Sequence, residues 1–406
     1  MVSWKPVNVP KTTGDRLSLA LRGGSVSGGI EHRAWVEINL SAIAHNVKQI
    51  KTVLSPQTAL MAVVKADAYG HGAISVAQAT CEAGAKGLAV ATIPEGIELR
   101  EAGIDQPILV LGAAHTPEEV KAIAHWNLQA TLCTPQQALL FSQTLNTCNQ
   151  TLSVHLNIDT GMSRLGTAWQ QATEFVQLVQ RLPNLTLVGI YSHFATADSP
   201  DQTVMRQQHQ RFQQVIDNIK TLEHWDFSQP SQRPCLHISN SAAALTDQAL
   251  HYDLVRVGLA VYGLYPAPHL QSTVQLQPAM QVKARVTQVK TLDADTGVSY
   301  GYRYVTEKPT KIAVVGIGYA DGVPRNLSNK MQVLIRGQFV PQIGAVTMDQ
   351  LMLDVSSIPD LQVGEIVTLL GQDGKYSISA DDWADTLGTI SWEILCGFKH
   401  RLPRII

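Results

Sequence analysis

The feature that most constrains the fold is a repeated alternation of short apolar runs with longer amphipathic stretches between residues 41 and 266. Eight of the runs have the length and composition of buried strands. They lie at residues 60–65, 87–91, 108–111, 130–133, 153–158, 187–192, 235–238 and 254–257. Helix-like segments separate them, as at residues 73–83, 94–102 and 117–125. Eight such repeats over roughly 220 residues predict an α/β fold, a parallel (β/α)8 TIM barrel.

The pattern changes after residue 266, where long helix-like segments give way to apolar, β-branched runs separated by glycine-containing turns. These runs, at residues 281–290, 312–318, 331–336, 350–355 and 365–370, predict a mostly β C-terminal domain. The alternating segment 35–40 is a candidate to pair with it. Short helical turns are expected near residues 380–387 and 391–396.

We therefore expect the barrel domain to span residues 41–266 and the mostly β domain to comprise residues 34–40 and 267–406. Residues 1–33 mix Gly, Ser, Pro, Thr and Lys with little periodicity, and we expect a flexible tail. Their apolar run is too short for a convincing signal-peptide core, although a targeting peptide stays open.

Composition excludes several classes of function. A formal charge of −2 gives no reason to expect a nucleic-acid or membrane-surface partner. No apolar stretch approaches the ~20 residues that a membrane-spanning helix needs. The five cysteines, Cys81, Cys133, Cys148, Cys235 and Cys396, show neither metal-ligand spacing nor a disulfide framework. They therefore indicate a cytoplasmic protein and predict no metal site.

Polar residues follow the predicted barrel strands at their carboxyl ends, where chemistry gathers in this fold. Lys65 ends the first run, where burial lowers the pKa of an amine and makes it a usable Schiff-base partner. A lysine reaching for solvent is the alternative. Further polar segments follow later strands, at residues 159–166, 193–198, 239–241 and 256–259.

The last two of these segments form a candidate anion site. Asn240 and Ser241 precede a helical Ala242-Ala243-Ala244, and Gly258 allows a close approach of the backbone. The loops after strands seven and eight are the usual phosphate site of this fold. A buried lysine and a phosphate site on one barrel face together indicate pyridoxal 5'-phosphate.

Eight segments of the chain resemble those of the pyridoxal-phosphate-dependent alanine racemases, which are fold-type III enzymes. They are residues 62–72, 159–166, 192–198, 237–243, 254–263, 297–301, 318–322 and 346–350. The resemblance covers about residues 34–406. It implies an isomerase that interconverts L-alanine and D-alanine, supplying D-alanine for the peptidoglycan of the cell wall.

Two other readings remain. One is another fold-type III enzyme, either a racemase of broader specificity or an amino-acid decarboxylase. Such decarboxylases generally place a carboxylate at the pyridine nitrogen, where this chain has Arg256. The other is a non-catalytic carrier of the cofactor with only a barrel, which the added β domain argues against.

The resemblance implies two catalytic groups, Lys65 and Tyr300, on opposite faces of the substrate Cα. Racemisation needs a proton removed on one side and delivered on the other, so two groups suit the chemistry. In the family the tyrosine reaches the site from a second subunit, which implies a homodimer with shared active sites. A tyrosine on the surface of a strand, beside Tyr302 and Tyr304, is the alternative for Tyr300.

Arg256 resembles the arginine that faces the pyridine nitrogen. Because arginine keeps its proton near neutral pH, it can only donate there and leaves that nitrogen unprotonated. A local ion pair with Asp253 is the alternative. His237 matches a partner that orients Arg256, and His193 matches a histidine packed against the cofactor ring, with a core role as its alternative.

The remaining implied residues bind the phosphate or the substrate. Arg164 resembles the arginine that holds the substrate carboxylate and the phenol of the tyrosine equivalent to Tyr300. A salt bridge to Asp159 is its alternative. Tyr319 resembles an entrance tyrosine, with a turn aromatic as its alternative. The implied phosphate-site residues are Tyr69, Asn240, Ser241, Gly258 and Leu259, and the implied residues from the partner subunit are Met348 and Asp349.

Two positions depart from the family pattern. Asn157 stands where many relatives carry a carboxylated lysine that steadies the arginine, so we expect an anion such as chloride beside Asn157 and Arg164. Trp392 stands where relatives carry a tyrosine that bonds the phosphate and flanks the substrate methyl. Indole donates one hydrogen bond and accepts none. We expect a tight pocket that still favours alanine, with altered cofactor affinity.

Overall fold

The computed structural model describes residues 32–222 and 225–406. The predicted tail, residues 1–33, thus lies outside the described residues except for its last two. The described chain forms two compact units. The barrel unit comprises Ser41–Ala68 and Ala73–Gln277, and the β unit comprises residues 32–40, Tyr69–Gly72 and Pro278–Ile406. The first strand, β1 (Ala34–Ile38), belongs to the β unit.

Eight parallel strands form the sheet of the barrel unit, as the sequence predicts. In chain order the strands of this unit are β2 (Ala59–Val63), β3 (Gly87–Val90), β4 (Ile108–Ala113), β5 (Gln129–Leu132), β6 (Leu152–Asp159), the two-residue β7 (Thr167–Ala168), β8 (Leu185–Tyr191), β9 (Cys235–His237) and β10 (Leu254–Val257). The sheet order is β10-β2-β3-β4-β5-β6-β8-β9, with β7 paired to β6.

The two outer strands of that order, β9 and β10, are joined by backbone hydrogen bonds. The Asp253 N–H donates to Leu236 O (3.1 Å), and the Arg256 N–H donates to Ser239 O (2.9 Å). These bonds bring the strands together around a nearly closed barrel. Residues of β3 and β10 are buried throughout, as expected for parallel strands covered by helices. The predicted TIM barrel is confirmed.

Helices alternate with the barrel strands. They are α1 (Leu40–Val53), α2 (Lys65–Gly70), α3 (Ala73–Glu82), α4 (Ile93–Glu101), α5 (Pro117–His125), α6 (Pro135–Thr147), α7 (Ala172–Gln180), α8 (Thr203–Lys220) and α9 (Ser241–Thr246). Threonine followed by proline starts two of them. Thr116 accepts a hydrogen bond from the Glu119 N–H, and Thr134 accepts one from the Gln137 N–H. These are N-caps with proline at the first helical position.

The β unit is mostly strand, as predicted. Its further strands are β11 (Met280–Leu292), β12 (Gly297–Val298), β13 (Tyr304–Val305), β14 (Thr310–Val315), β15 (Gln332–Ile335), β16 (Gln338–Ile343), β17 (Leu351–Asp354), β18 (Ile366–Asp373), β19 (Tyr376–Ile378) and β20 (Arg404–Ile405). The main sheet has the order β19-β18-β15-β16-β17-β14-β11-β1-β20, and β18 also pairs with β11. Six strands therefore close into a ring.

Sequence patterning does not predict strand β16, because Pro341 interrupts it and its outward positions are polar or exposed. Residues 35–38 of the segment 35–40 lie in strand β1, which pairs within the β unit. Strand β1 runs antiparallel to β11, with Ala34 opposite Ala284, and parallel to β20. Leu40 begins α1 instead of ending the strand. Two C-terminal helices, α10 (Ala380–Leu387) and α11 (Ser391–Gly397), match the predicted helical turns.

Across residues 32–222 and 225–406, no helix combines the length and the apolar character needed to cross a lipid bilayer.

Candidate functional site

Lys65 is half-buried and lies two residues after the end of β2. The backbone that follows it adopts a left-handed conformation. Ala66, Asp67, Ala68 and Tyr69 have φ values between 52° and 55°. Helix α2 is therefore a left-handed turn. For L-residues this conformation costs about 1–2 kcal/mol per residue, and it is normally visited by single residues. A run of four non-glycine residues needs neighbours that hold it in place.

Contacts from outside the turn hold it on both sides. The Ala66 N–H donates to Glu95 Oε1 (2.7 Å), and Asp67 Oδ1 accepts from the Ala73 N–H (2.8 Å). Within the β unit, the Arg404 guanidinium donates to Gly70 O (3.0 Å). The turn sets the direction in which Lys65 and Tyr69, four residues apart, leave the backbone.

Arg256 occupies the buried strand β10 and is 3% exposed. Its Nη1 lies 2.8 Å from His237 Nδ1, and its Nη2 lies 3.1 Å from His193 Nδ1. Nη2 also donates to Ser192 O (2.7 Å). Burial lowers the pKa of Arg256 to about 10, so the guanidinium stays charged at neutral pH. The alternative ion pair with Asp253 is wrong, because Asp253 pairs with Arg233.

The arginine fixes the tautomers of two buried histidines. Because arginine can only donate, His237 Nδ1 must accept and its proton sits on Nε2. That Nε2 lies 3.1 Å from His155 Nδ1, and His155 Nε2 lies 3.0 Å from Gln129 Oε1. The chain of donors therefore runs in one direction, from Arg256 through both rings to Gln129. Burial, followed by the charge of Arg256, lowers the pKa of both histidines, to about 3 for His155.

Tyr191 packs against this chain. Its ring stacks on His237 with centroids 4.9 Å apart, and the Arg256 guanidinium lies 4.9 Å from its centroid. The phenol lies 3.0 Å from Thr131 Oγ1. Burial raises the pKa of Tyr191 to about 12, so the phenol keeps its proton. A planar, neutral ring thus backs the arginine on one side.

His193 shows that four predicted residues are gathered in the barrel unit. Its pKa is lowered to about 3, first by burial and then by the positive charges of Arg256, Arg164 and Lys65. Such an effect needs these charges near the ring. The carboxyl ends of β2, β6, β8 and β10 therefore bring Lys65, Arg164, His193 and Arg256 to one place.

Arg164 lies in the loop between β6 and β7, which returns to the strand it left because β7 pairs with β6 at Ile158 and Asp159. Its side chain is exposed. Among the described residues no ion pair joins it to Asp159, whose carboxylate instead accepts from the Gly161 and Ser163 N–H groups. Asn157, the position of the departure, is buried near the end of β6, beside the Cys133 thiol.

The predicted anion corner combines two helix starts. Helix α9 begins at Ser241 with Asn240 as its N-cap, and Asn240 Oδ1 accepts from the Ala243 N–H (3.1 Å). A 3-10 helix, Leu259–Tyr262, begins directly after Gly258. The Gly258 N–H donates to Ser241 Oγ (3.0 Å), which joins the two starts. Backbone N–H groups at helix starts favour anions.

Tyr300 belongs to the β unit and is 73% exposed. It opens a 3-10 turn, Tyr300–Tyr302, that connects β12 to β13, so the alternative of a strand tyrosine is wrong. Ser299, with φ 65°, precedes it and donates from Oγ to Ala345 O (2.8 Å). This bond ties the Tyr300 turn to the segment that leads to Met348.

Met348 and Asp349 follow that segment, and a second loop packs against them. The Tyr319 N–H donates to Thr347 O (3.0 Å), and the Ala320 N–H donates to Met348 O (3.0 Å). Asp349 accepts from Arg401 Nη2 (2.8 Å). The β unit thus brings together Tyr300, Tyr319, Met348 and Asp349. Tyr319 and Met348 are 41% and 52% exposed.

The other two predicted residues of the β unit are less exposed. Tyr69 is buried, and burial followed by the thiol of Cys396 raises its pKa above the usual value. Trp392 is half-buried near the start of α11. Cys396 lies on the same helix as Trp392, so α11 contributes to the surroundings of Tyr69.

Sequence reasoning missed four residues that shape these sites: Glu95, His155, Tyr191 and Arg401. The spacing of Thr92 and Glu95 signals a capping box, but it does not reveal the contact of Glu95 with Ala66. His155 and Tyr191 lie within apolar runs, where a polar side chain in an otherwise buried strand could have drawn attention. Arg401 carries no signal in the sequence.

Comparison with known proteins gives a consistent result. Residues 38–266 match the family model "Alanine racemase, N-terminal domain", and residues 279–406 match "Alanine racemase, C-terminal domain". An alanine racemase of Nostoc sp. is 65% identical over 375 residues, covering 92% of this chain and 95% of that protein. The crystal structure of alanine racemase from E. faecalis has a TM-score of 0.85 at 36% identity, covering 93% and 98% of the two chains. A histidine racemase from Leuconostoc mesenteroides subsp. sake has a TM-score of 0.82 at 31% identity, covering 93% and 98%.

Proposed function

This chain belongs to the alanine racemase family, and we propose that it interconverts L-alanine and D-alanine with pyridoxal 5'-phosphate as its cofactor. The observation that carries the proposal is the contact of Arg256 Nη2 with His193 Nδ1 (3.1 Å) at the carboxyl ends of the barrel strands. Lys65 and Arg164 lie near enough there for their charges to lower the pKa of His193. This is the face on which barrel enzymes carry their chemistry.

The residues present suit this cofactor in three respects. Lys65 offers an amine for the covalent linkage to the aldehyde carbon. Ser241, whose hydroxyl accepts from the Gly258 N–H, and the backbone at the two helix starts that follow Asn240 and Gly258, the second beginning at Leu259, offer donors for a phosphate. Tyr69 is the further phosphate-site residue that the resemblance implies. Arg256 offers a donor that stays charged to the pyridine nitrogen, and His193 lies beside it. When bound, the cofactor supplies an electron sink that acidifies the substrate Cα proton.

Arg256 gives the electron sink its character. Its partners, the buried His237 and the half-buried His193, are neutral, so no neighbouring acid supplies a proton to the pyridine nitrogen. A nitrogen left unprotonated makes a weaker sink, which favours return of the proton to Cα over transamination. The same feature argues against a decarboxylase, because such enzymes generally place a carboxylate at the pyridine nitrogen, where this chain offers Arg256.

Two groups move the proton in this proposal. The Lys65 amine serves one face of the substrate Cα and the Tyr300 hydroxyl the other. The exposure of Tyr300, 73%, supports its use in a site on a second copy of the chain. We therefore propose a homodimer in which Tyr300, Tyr319, Met348 and Asp349 of one copy complete the barrel site of the other.

Arg164 and the Met348 backbone N–H would hold the substrate carboxylate. Arg164 is exposed at the loop beside Asn157, and an amide there cannot carry the carboxyl group found in many relatives. A chloride ion between Asn157 and Arg164 would replace that negative charge. Crystals grown in bromide test this point, because an anomalous peak beside both residues is expected and an empty position would refute the chloride.

Substrate breadth is the second question. Trp392 replaces the smaller tyrosine that flanks the substrate methyl in relatives, which supports a tight pocket that favours alanine. The likeness to a histidine racemase supports the alternative of a racemase with a different or broader substrate range. Turnover of lysine, arginine or histidine comparable to that of alanine would decide for this alternative.

The reaction and the cysteines together indicate the biosynthetic role and the cellular compartment. D-alanine is a building block of peptidoglycan, so we propose that the protein supplies the cell wall. None of the five cysteines forms a disulfide bond, which supports a reducing compartment and hence the cytoplasm.

The decisive experiment combines spectroscopy with a racemisation assay. Protein supplied with pyridoxal 5'-phosphate should show the visible absorbance band of a lysine-linked cofactor and convert either alanine enantiomer to the racemic mixture. A band without racemisation would indicate a carrier or another enzyme of this fold. An absent band would refute the whole proposal.

A further inference from the structure

The left-handed turn after Lys65 depends on a residue of the next helix. We propose that Glu95 is a positioning residue that fixes the peptide bond between Lys65 and Ala66, and through it the direction of the Lys65 side chain. The inference rests on the proposed function, because it assumes that Lys65 carries the cofactor.

The two oxygens of the Glu95 carboxylate accept hydrogen bonds from different segments of the chain. Oε2 accepts from the Ala91 N–H (2.7 Å) and the Thr92 N–H (2.9 Å), which satisfies the start of helix α4. Oε1 accepts from the Ala66 N–H (2.7 Å). The first pair of bonds belongs to its own helix, whereas the third reaches across to the loop that follows β2. One carboxylate therefore joins two neighbouring strand–helix units.

The bond falls where the turn begins. The Ala66 N–H belongs to the peptide unit directly after Lys65, and Ala66 is the first of the four residues with φ between 52° and 55°. An acceptor at this position holds the peptide plane that sends the chain into the left-handed turn. Without it, the Lys65–Ala66 peptide loses this restraint against relaxation toward the favoured backbone region.

Helix α4 is a rigid base for this contact. A Cβ at Gly96, the next residue, would lie 2.8 Å from Leu128 Cδ1, so the helix approaches Leu128 more closely than any larger residue allows. Glu95 is thus held by its helix start and by the packing of its neighbour. A residue held on a packed element positions a functional group more accurately than one in a loop.

Helix α5 provides a matched control, because the same arrangement occurs there without the cross-contact. Glu119 Oε2 accepts from the His115 N–H (2.7 Å) and the Thr116 N–H (3.0 Å). These are the same two positions relative to the helix start, and all the hydrogen bonds that the structure gives Glu119 stay within that start. Changing Glu119 therefore tests the loss of a cap alone.

Glutamine is the informative substitution. Helix α6 has Gln137 at the equivalent position, where its Oε1 accepts from the Cys133 N–H (2.7 Å). An amide can thus satisfy the helix start. Its second terminal atom, however, is an N–H donor. In Glu95→Gln this donor would face the Ala66 N–H, so the side chain keeps one contact only at the expense of the other.

The experiment compares wild type, Glu95→Gln and Glu119→Gln. In cofactor-free protein, hydrogen–deuterium exchange followed by mass spectrometry should show the Ala66 amide exchanging about tenfold faster in Glu95→Gln and unchanged in Glu119→Gln. The absorbance band of the linked cofactor, titrated with pyridoxal 5'-phosphate, should show about tenfold weaker binding in Glu95→Gln alone. In racemisation, kcat should fall about tenfold with KM for alanine within about twofold.

Equal unfolding midpoints of the two variants would exclude a general loss of structure. The proposal is overturned if Glu95→Gln matches Glu119→Gln in both amide exchange and cofactor binding. A wild-type protein without the absorbance band would instead defeat the proposed function. Amide exchange of cofactor-free protein would then still decide whether Glu95 holds the turn.

Discussion

Arg256 shows how one residue can determine the protonation of others at a distance. It has five donors and no acceptor, and it is buried on strand β10. His237 and, through it, His155 must therefore each accept on Nδ1 and donate from Nε2. A proton added to either ring would place two donors face to face beside a fixed positive charge. The network thus keeps both imidazoles neutral. Neither ring can then act as an acid toward the pyridine nitrogen that Arg256 is proposed to face.

This arrangement predicts a loss of stability in mild acid. The pKa of His155 is about 3 in the folded protein and near 6.5 when unfolded, so above pH 6.5 neither state binds the proton. As the pH falls below 6.5, only the unfolded state takes it up. Each pH unit then removes about 1.4 kcal/mol from the free energy of unfolding.

His155→Gln tests this, because glutamine can accept from His237 through Oε1 and donate to Gln129 through Nε2. Between pH 7 and pH 5, we expect this variant to lose about 2 kcal/mol less than wild type in denaturant unfolding. The same replacement of the exposed His115 is the control. Equal losses in wild type and His155→Gln would show that the buried ring does not drive the pH dependence.

At the scale of elements, strand β8 makes room for this network. Gly189 lies opposite His155 in the pairing of β6 with β8. A Cβ at Gly189 would overlap the His155 ring. We therefore expect Gly189→Ala to lower the free energy of unfolding by about 1–3 kcal/mol, the usual range for overpacking a core. Chemical denaturation measures the effect.

Gly397→Ala is a suitable control, since its added Cβ would meet only Gly322 O at 3.5 Å, an ordinary contact. If Gly189→Ala were as stable as wild type, the close packing of β8 against His155 would be wrong.

Local sequence patterns predict a helix or strand well where its burial follows a simple rule. The eight barrel strands can be predicted because strands covered on both sides are apolar throughout. Strand β16 cannot, because Pro341 and two glutamines hide it. The left-handed turn is equally invisible: Ala66, Asp67 and Ala68 have no local reason to adopt it. The turn is held by contacts of the folded chain, namely the hydrogen bond of the Ala66 N–H to Glu95 and that of the Ala73 N–H to Asp67.

The same limit applies to the sites. Lys65, Arg164 and His193 follow strand ends and Arg256 lies near the end of β10, so the barrel topology is enough to predict that they meet. Tyr300 and Met348 are 48 positions apart in the sequence, and the bond of Ser299 to Ala345 links their turns. Their grouping comes from the family resemblance, because no local pattern in the sequence indicates it.

At the scale of the whole molecule, the account requires two copies of the chain. In a symmetric dimer with shared sites, Lys65→Ala and Tyr300→Phe each inactivate both sites. Mixing the two variants under conditions that exchange subunits produces hybrids with one doubly altered site and one intact site. Random exchange at equal amounts makes half of the dimers hybrid, so we expect about a quarter of wild-type activity to return.

Each variant alone, taken through the same exchange procedure, is the control. If the mixture stays as inactive as the separate variants, Lys65 and Tyr300 do not come from different copies.

The proposed function depends above all on Lys65 as the residue that carries the cofactor. The direct measurement is to load the protein with pyridoxal 5'-phosphate, reduce the linkage with borohydride, digest the product and locate the added phosphopyridoxyl mass by mass spectrometry. We predict one labelled peptide, with the label on Lys65. A label on another lysine, or no label in protein that racemises alanine, would contradict the account.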